Sequence, residues 1–359
     1  MRRSASKWCF LAALLALLLL SGCRKPGTLF NSLSRNTPDP DAELKSTIYV
    51  DSMDTFMELS AYGSNRDEAL KAAKAEIERL NDRLSIGLDS SEISRINRRG
   101  NGVASSETVE LVSEALTLYT QTGGAFDLTV YPLMELWGFV SKDYHVPTEQ
   151  ELADTLRLVG ADRIALDVTT GSISLGEGQA IDLGGIAKGY TSQRLMKIFR
   201  DAGVSSAIVS LGGNIQCLGT KPDGSAWRIG VKDPFHPDTN LAAVVQVVDK
   251  AVITSGGYER YFVDEETGTV YRHIIDPSTG YPADSGLSSV TIVTANGMLG
   301  DGLSTALYIM GLDRAADFWR EHSGEFEAIL IDNEGEIYVT AGLEGDVTSS
   351  RELHVIQEN

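Results

Sequence analysis

Ser206-Ala207-Ile208-Val209-Ser210-Leu211-Gly212-Gly213-Asn214 reads SAIVSLGGN. A β-rich run stops on a glycine pair, and no helical pattern follows it. Further strand-like runs come in quick succession at 226–232, 242–249, 251–255 and 288–294. Strands that follow one another directly break the strand–helix–strand rhythm of a parallel sheet. They point to an α+β fold with largely antiparallel sheets and packed helices. Upstream, apolar residues recur at helical spacing over 65–85, with Ala69, Ala72, Ala73, Ile77, Leu80 and Leu84, and over 106–122, with Val109, Leu111, Val112, Ala115, Leu116 and Tyr119. Shorter helices are expected at 91–97, with Ser90 or Ser91 as N-cap, and at 148–159 and 189–202. Strands are expected within 46–62, a hairpin over 163–175, helices over 301–310 and 313–321, and a closing hairpin over 327–339.

The chain begins differently. Arg2, Arg3 and Lys7 precede an apolar run from Phe10 to Leu20. That run is shorter than the roughly 20 residues of a stable span and has the length of a signal-peptide core. Leu20-Ser21-Gly22-Cys23 then has the pattern of a lipobox, with small residues for peptidase access and the Cys23 thiol as lipid acceptor. An ordinary cleaved signal with an incidental cysteine is the alternative. Residues 24–45 contain Pro26, Pro38 and Pro40 among mostly polar side chains and read as a spacer. The expected organisation is a signal peptide at 1–22, a lipidated cysteine and tether at 23–45, a catalytic domain at 46–345 and a tail at 346–359. The expected location is the extracytoplasmic face of a membrane, held by lipid.

The formal charge is −19; removal of Arg2, Arg3 and Lys7 leaves 28 basic against 50 acidic residues, or −22. Such a surface argues against nucleic acid as a partner. An anionic substrate would need local help from a cation or a helix N-terminus. Cys217 is the one cysteine beyond the export signal, so the mature domain forms no internal disulfide.

Glycine clusters mark the chemistry. Gly184-Gly185-Ile186-Ala187-Lys188-Gly189 opens a helix, where backbone N–H groups approach an anion and Lys188 adds charge. It lacks the spacing of a Walker A loop, and glycine-rich turns are more often structural. His273 is one of five histidines and lies in an idiosyncratic stretch. Asp301 and Thr305 are four apart on a helix and share a face. A carboxylate and a hydroxyl so placed suit a hard cation; alternatively Asp301 only caps the helix.

Taken together, SEISRIN (91–97), GAFDLTVYPLMELWGF (124–139), IDLGGIAKGY (181–190), SLGGNI (210–215), TSGGYERYF (254–262), HIIDPSTGYP (273–282) and GDGLSTALYIMG (300–311) resemble the FAD:protein FMN transferases, the ApbE flavin transferase family. The resemblance runs from about Met53 to Gly342. It implies a two-lobed domain with the active site between lobes, and Mg²⁺-dependent transfer of the FMN half of FAD to a Thr or Ser hydroxyl, releasing AMP. Ala125, Phe126 and Asp127 would line the flavin and adenine side. Met53, Asp182, Lys188 and Ile275 would also contact FAD. Gly185 would offer its carbonyl to Mg²⁺, with Asp301 and Thr305 as side-chain ligands and Ser304 close by. His273 would be the catalytic group, with Asp301.

Two positions depart from the family pattern. Met53-Asp54-Thr55 stands where relatives read Met-Gly-Thr, and Gly87 where relatives often carry a Tyr near the flavin. The chain contains no Ser/Thr-Gly-Ala-Ser/Thr acceptor sequence. Its expected partners are therefore FAD and exported acceptor proteins carrying such a motif, such as redox-pump or flavoprotein reductase subunits. Within the same chemistry the rival is a Mg²⁺-dependent FAD pyrophosphatase. An extracytoplasmic FAD-binding lipoprotein and a solute-binding lipoprotein are rivals of other classes.

Overall fold

The computed structural model describes residue 39 and residues 41–358. The expected signal peptide, Cys23 and most of the spacer lie outside the described residues.

β1 (Lys45–Ser52) and β2 (Thr55–Tyr62) form a hairpin whose two-residue turn is Met53-Asp54. Both turn residues have positive φ, 52° and 56°. A tight hairpin turn with the strands' own twist requires that conformation, and Asp tolerates it better than most residues. The departure at Asp54 is thus absorbed as a left-handed turn residue. α1 (Arg66–Leu84) buries Ala69, Leu70, Ala73, Ile77, Leu80 and Leu84, one stripe at helical spacing. α2 (Glu92–Arg99) starts where the Ser91 side chain accepts the Ser94 N–H. Next come β3 (Asn101–Val103), α3 (Ser106–Gln121), α4 (Tyr131–Leu136) and α5 (Glu149–Leu156). β4 (Ala165–Asp167) and β5 (Ser172–Ser174) join β3 in a three-stranded sheet, and α6 (Ala187–Asp201) follows.

The rest is mostly strand. β6 (Ala207–Leu211) turns through Gly212-Gly213 into β7 (Asn214–Leu218). β8 (Trp227–Lys232), β9 (Leu241–Val247), β10 (Ala251–Gly256), β11 (Tyr261–Val263), β12 (Val270–Arg272) and β13 (Leu287–Thr294) lead to α7 (Gly297–Met310) and α8 (Leu312–Glu321). β14 (Glu327–Asp332), β15 (Ile337–Thr340), β16 (Val347–Thr348) and β17 (Leu353–Ile356) close the chain.

Nine strands make the main sheet in the order β1-β2-β6-β7-β10-β13-β14-β15-β17. Its pairs are antiparallel except β15 with β17. The α+β class and the antiparallel character are as expected. Period-two alternation gives the sheet two apolar faces. Along β14, Ala328 and Leu330 pack among residues of α7 and α8, while Ile329 and Ile331 pack among residues of β8 and β9. On the β1–β2–β6 side, α1 and α6 cover Met57, Leu59 and Val209. A smaller core of Leu133, Trp137, Phe139, Leu152 and Ile275 lies beneath α4 and α5.

The structure revises two boundaries. Residues 346–359 are not a trailing tail: β16 pairs with β9, and β17 supplies the sheet's ninth strand. α7 starts at Gly297, with Asn296 accepting the Leu299 N–H, so Asp301 sits in the second turn and does not cap its own helix.

Candidate functional site

α6 and α7 cross at a contact only glycine permits. A Cβ on Gly189 would lie 2.1 Å from the Gly297 carbonyl oxygen and 2.6 Å from Asp301 Cβ. This approach lets Asp301, 5% exposed, accept the Gly189 N–H at Oδ2 over 2.8 Å. Asp301 does cap a helix, but it caps α6. Gly189 is the third residue of α6, so its N–H is one of the first-turn donors that no carbonyl of the helix reaches. The Gly185 carbonyl lies just before the helix, whose first bond runs from the Tyr190 N–H to the Ile186 carbonyl.

The Gly185 carbonyl, the Asp301 carboxylate and the Thr305 hydroxyl are all oxygen donors, the set a hard cation prefers. Among the described residues no group of three or more His, Cys, Asp or Glu side chains could hold a metal. A cation here would have one carboxylate and complete its shell from substrate phosphate and water, as Mg²⁺ commonly does. Ser304, expected beside the ligands, is fully buried, and its hydroxyl donates to the Asp301 carbonyl over 2.8 Å. It stands behind the donors, not among them.

A second group gathers at the start of α6. Asp182 is half-buried, and its Oδ1 accepts the Gly184 N–H at 2.9 Å. Burial raises its pKa against the pull of Lys188 and Arg260. Lys188 Nζ donates to the Gly184 carbonyl at 3.2 Å. His273 follows β12, and its Nδ1 lies 3.1 Å from the Arg260 carbonyl oxygen. A carbonyl only accepts, so Nδ1 carries the proton and Nε2 keeps its lone pair. Burial, then Arg260 and Lys188, lower the His273 pKa to about 4. The imidazole is therefore neutral at neutral pH.

Met53 belongs to the same end of the sheet. Its N–H donates to Asn81 Oδ1 at 3.2 Å, and its sulfur lies 3.7 Å from the Thr191 hydroxyl, which donates to the Ala187 carbonyl at 2.7 Å. A Cβ on Gly212 would sit 2.0 Å from Thr55 Oγ1, so the β1–β2 and β6–β7 turns touch. The buried Phe126 ring flanks Gly185 and Gly302, tying Ala125-Phe126 to both helices.

Two residues expected at the FAD site have structural partners of their own. Asp127 faces inward: Oδ1 accepts from the Thr129 N–H and hydroxyl at 2.7 and 2.6 Å, and Oδ2 from the Ala161 N–H at 3.3 Å. Its carboxylate is committed to folding that turn. The Ile275 side chain is buried in the small core with Trp137 and Phe139. Ile275 faces Pro282 between the Ala283-to-Ile274 and Asp276-to-Tyr281 bonds, a pattern that turns its own N–H and C=O outward.

Arg260 and Ser255 were not singled out from the sequence. Arg260 Nη2 donates to the Phe139 carbonyl at 2.8 Å and its charge acts on both Asp182 and His273. Ser255 hydrogen-bonds Ser304 and Thr305. Both lie in TSGGYERYF, where a cation and a hydroxyl flank a glycine pair.

Residues 53–330 match the model of the ApbE family. A FAD:protein FMN transferase of Vibrio cholerae is 33% identical over 314 residues, 85% of this chain and 88% of the relative. One of Klebsiella pneumoniae is 32% identical over 282 residues, 77% and 86%. The crystal structure of an ApbE protein from Thermotoga maritima superposes with a TM-score of 0.78 at 30% identity, covering 86% of this chain and 100% of that one. A flavin transferase ApbE from Vibrio cholerae gives 0.75 at 27%, covering 84% and 99%.

Proposed function

The chain belongs to the ApbE family, and we propose that it transfers the FMN moiety of FAD to a Thr or Ser hydroxyl of an exported protein, releasing AMP. The acceptor oxygen bonds to the phosphorus of the FMN half. The phosphoanhydride bond breaks, AMP leaves with the bridging oxygen, and the hydroxyl proton passes to a base. Such transfers depend chiefly on positioning and electrostatic stabilisation.

The observation that carries this reading is the α6–α7 crossing, where Asp301 accepts the Gly189 N–H next to Lys188, whose charge reaches His273. The oxygen donors proposed for the cation are the Gly185 carbonyl, Asp301 and Thr305. A neutral imidazole with a free Nε2 sits within the field of Lys188 and Arg260. Mg²⁺, when bound through the Gly185 carbonyl, Asp301 and Thr305, would neutralise pyrophosphate charge. Lys188 and Arg260 hold the same anion from the other side. Their charges also keep His273 weakly basic before substrate binds. A bound pyrophosphate offsets those charges and makes Nε2 a better base for the acceptor hydroxyl. Asp182, Met53 and the outward backbone of Ile275 orient the FAD.

Cys23 in its lipobox supports extracytoplasmic anchoring by lipid, where the acceptors would be exported domains. Among the described residues no helix is long and apolar enough to cross a membrane.

The test mixes the protein with FAD, Mg²⁺ and a candidate acceptor domain and follows flavin fluorescence on the denatured acceptor. Labelling is expected with wild type, with loss on chelation and in His273→Ala, which should still bind FAD. Wild-type labelling by His273→Ala would overturn the role given to the imidazole.

A further inference from the structure

We propose that Ser255, at the end of β10, is a positioning residue that fixes the Thr305 hydroxyl for cation binding. Its side chain lies 2.8 Å from Ser304 Oγ and 3.3 Å from Thr305 Oγ1. Proton counting sets the direction of this chain, because each hydroxyl has one hydrogen to give. Ser304 spends its own on the Asp301 carbonyl, 2.8 Å away. The Ser255–Ser304 contact must then be donated by Ser255. With that hydrogen used, the Ser255–Thr305 contact must be donated by Thr305. The Thr305 proton is thereby drawn toward β10, and its lone pairs point away from Ser255.

The relay starts on the backbone of Asp301 and ends on the side chain of Thr305, the two residues of α7 in the donor set. It ties both to a strand of the main sheet. Without Ser255, the Thr305 proton is free to rotate. It can then turn to the carbonyl one helical turn back, as helical Thr residues do, and present hydrogen where oxygen is needed. Outer partners of this kind typically contribute about 10- to 100-fold to metal affinity.

The inference rests on the reading that Gly185, Asp301 and Thr305 bind a divalent cation. Mn²⁺, which reports its own binding by electron paramagnetic resonance, is the probe, titrated into the full protein with FAD present. Ser255→Ala is expected to weaken Mn²⁺ binding by about 10- to 100-fold while metal-free FAD affinity stays at the wild-type value. Ser255→Thr and Ser255→Val form a matched pair of equal shape on a strand, and Thr alone should restore affinity. Wild-type Mn²⁺ affinity in Ser255→Ala, or equal affinities in the Thr and Val variants, would overturn the relay while leaving the cation site standing. A wild-type protein that binds no Mn²⁺ would overturn the cation reading and the relay together.

Discussion

The imidazole of His273 has one proton already committed. Nδ1–H is held by the Arg260 carbonyl, so the base is Nε2, and burial, then the neighbouring Arg260 and Lys188, oppose any second proton. Nuclear magnetic resonance titration of the FAD-free protein should show this ring neutral until the pH falls toward about 4, not near the ordinary 6.5. The sign for stability follows. Between those values the unfolded chain takes up a proton that the folded chain refuses, so folding weakens as pH falls through the window. Saturating FAD should raise the His273 midpoint, because its pyrophosphate offsets the two cations. A midpoint near 6.5 that ignores FAD would contradict the arrangement. At this scale the expectations for His273 and Asp301 came from the motifs around them, and the structure adds their partners, the Arg260 carbonyl and the Gly189 N–H. The sequence was not legible where a partner far along the chain decides the role. Asp127 looked like a ligand until Thr129 and Ala161 claimed both its oxygens. Ser255 lay within the TSGGYERYF motif with no role of its own, and the fold sets it against α7.

Elements supply the precision those residues need. α6 and α7 approach until the backbones touch at Gly189 and Gly297, and the Asp301 contact exists because of that approach. Gly189→Ala would place a methyl 2.1 Å from a carbonyl oxygen, and neither partner is a side chain that can swing aside. The helices must part. The expected cost is about 1–3 kcal/mol of stability, read from the denaturant midpoint, together with loss of labelling. A variant as stable and active as wild type would show that the crossing is not what sets the site. The helices with a long apolar stripe were legible: α1 and α3 fall within a residue of the 65–85 and 106–122 expectations. Short elements were legible where a cap or turn marked them, as with α2, α5 and the β4–β5 hairpin, and not elsewhere. α4 spans only Tyr131–Leu136 and owes its place to Leu133 and to Trp137, whose indole N–H reaches the Gly280 carbonyl 143 positions away. β7, β11 and β12 likewise have too few residues to show a period.

At the scale of the whole molecule, the proposal joins a transferase domain to an export signal. The sheet needs its last residues: β17 pairs in parallel with β15, a contact between distant parts of the chain that no local pattern announces. Under the proposed lipidation of Cys23, a tether of about 22 residues would give a reach of roughly 25 Å from the anchor. That reach would limit acceptors to proteins presented near the same membrane face. Deleting residues 1–23 should leave transfer intact with purified components and abolish modification of exported acceptors in the cell. Acceptor labelling at the normal level in such cells would show that the anchor does not select the partner.

The most direct measurement is a mass balance on one reaction: wild-type protein, FAD, Mg²⁺ and an exported acceptor domain carrying a Ser/Thr-Gly-Ala-Ser/Thr sequence. Peptide mass spectrometry locates the flavin, and chromatography counts the AMP. The account requires FMN on a Thr or Ser of that sequence, with one AMP released per FMN attached. AMP appearing with free FMN and an unmodified acceptor would contradict it, and would make the protein a hydrolase of FAD.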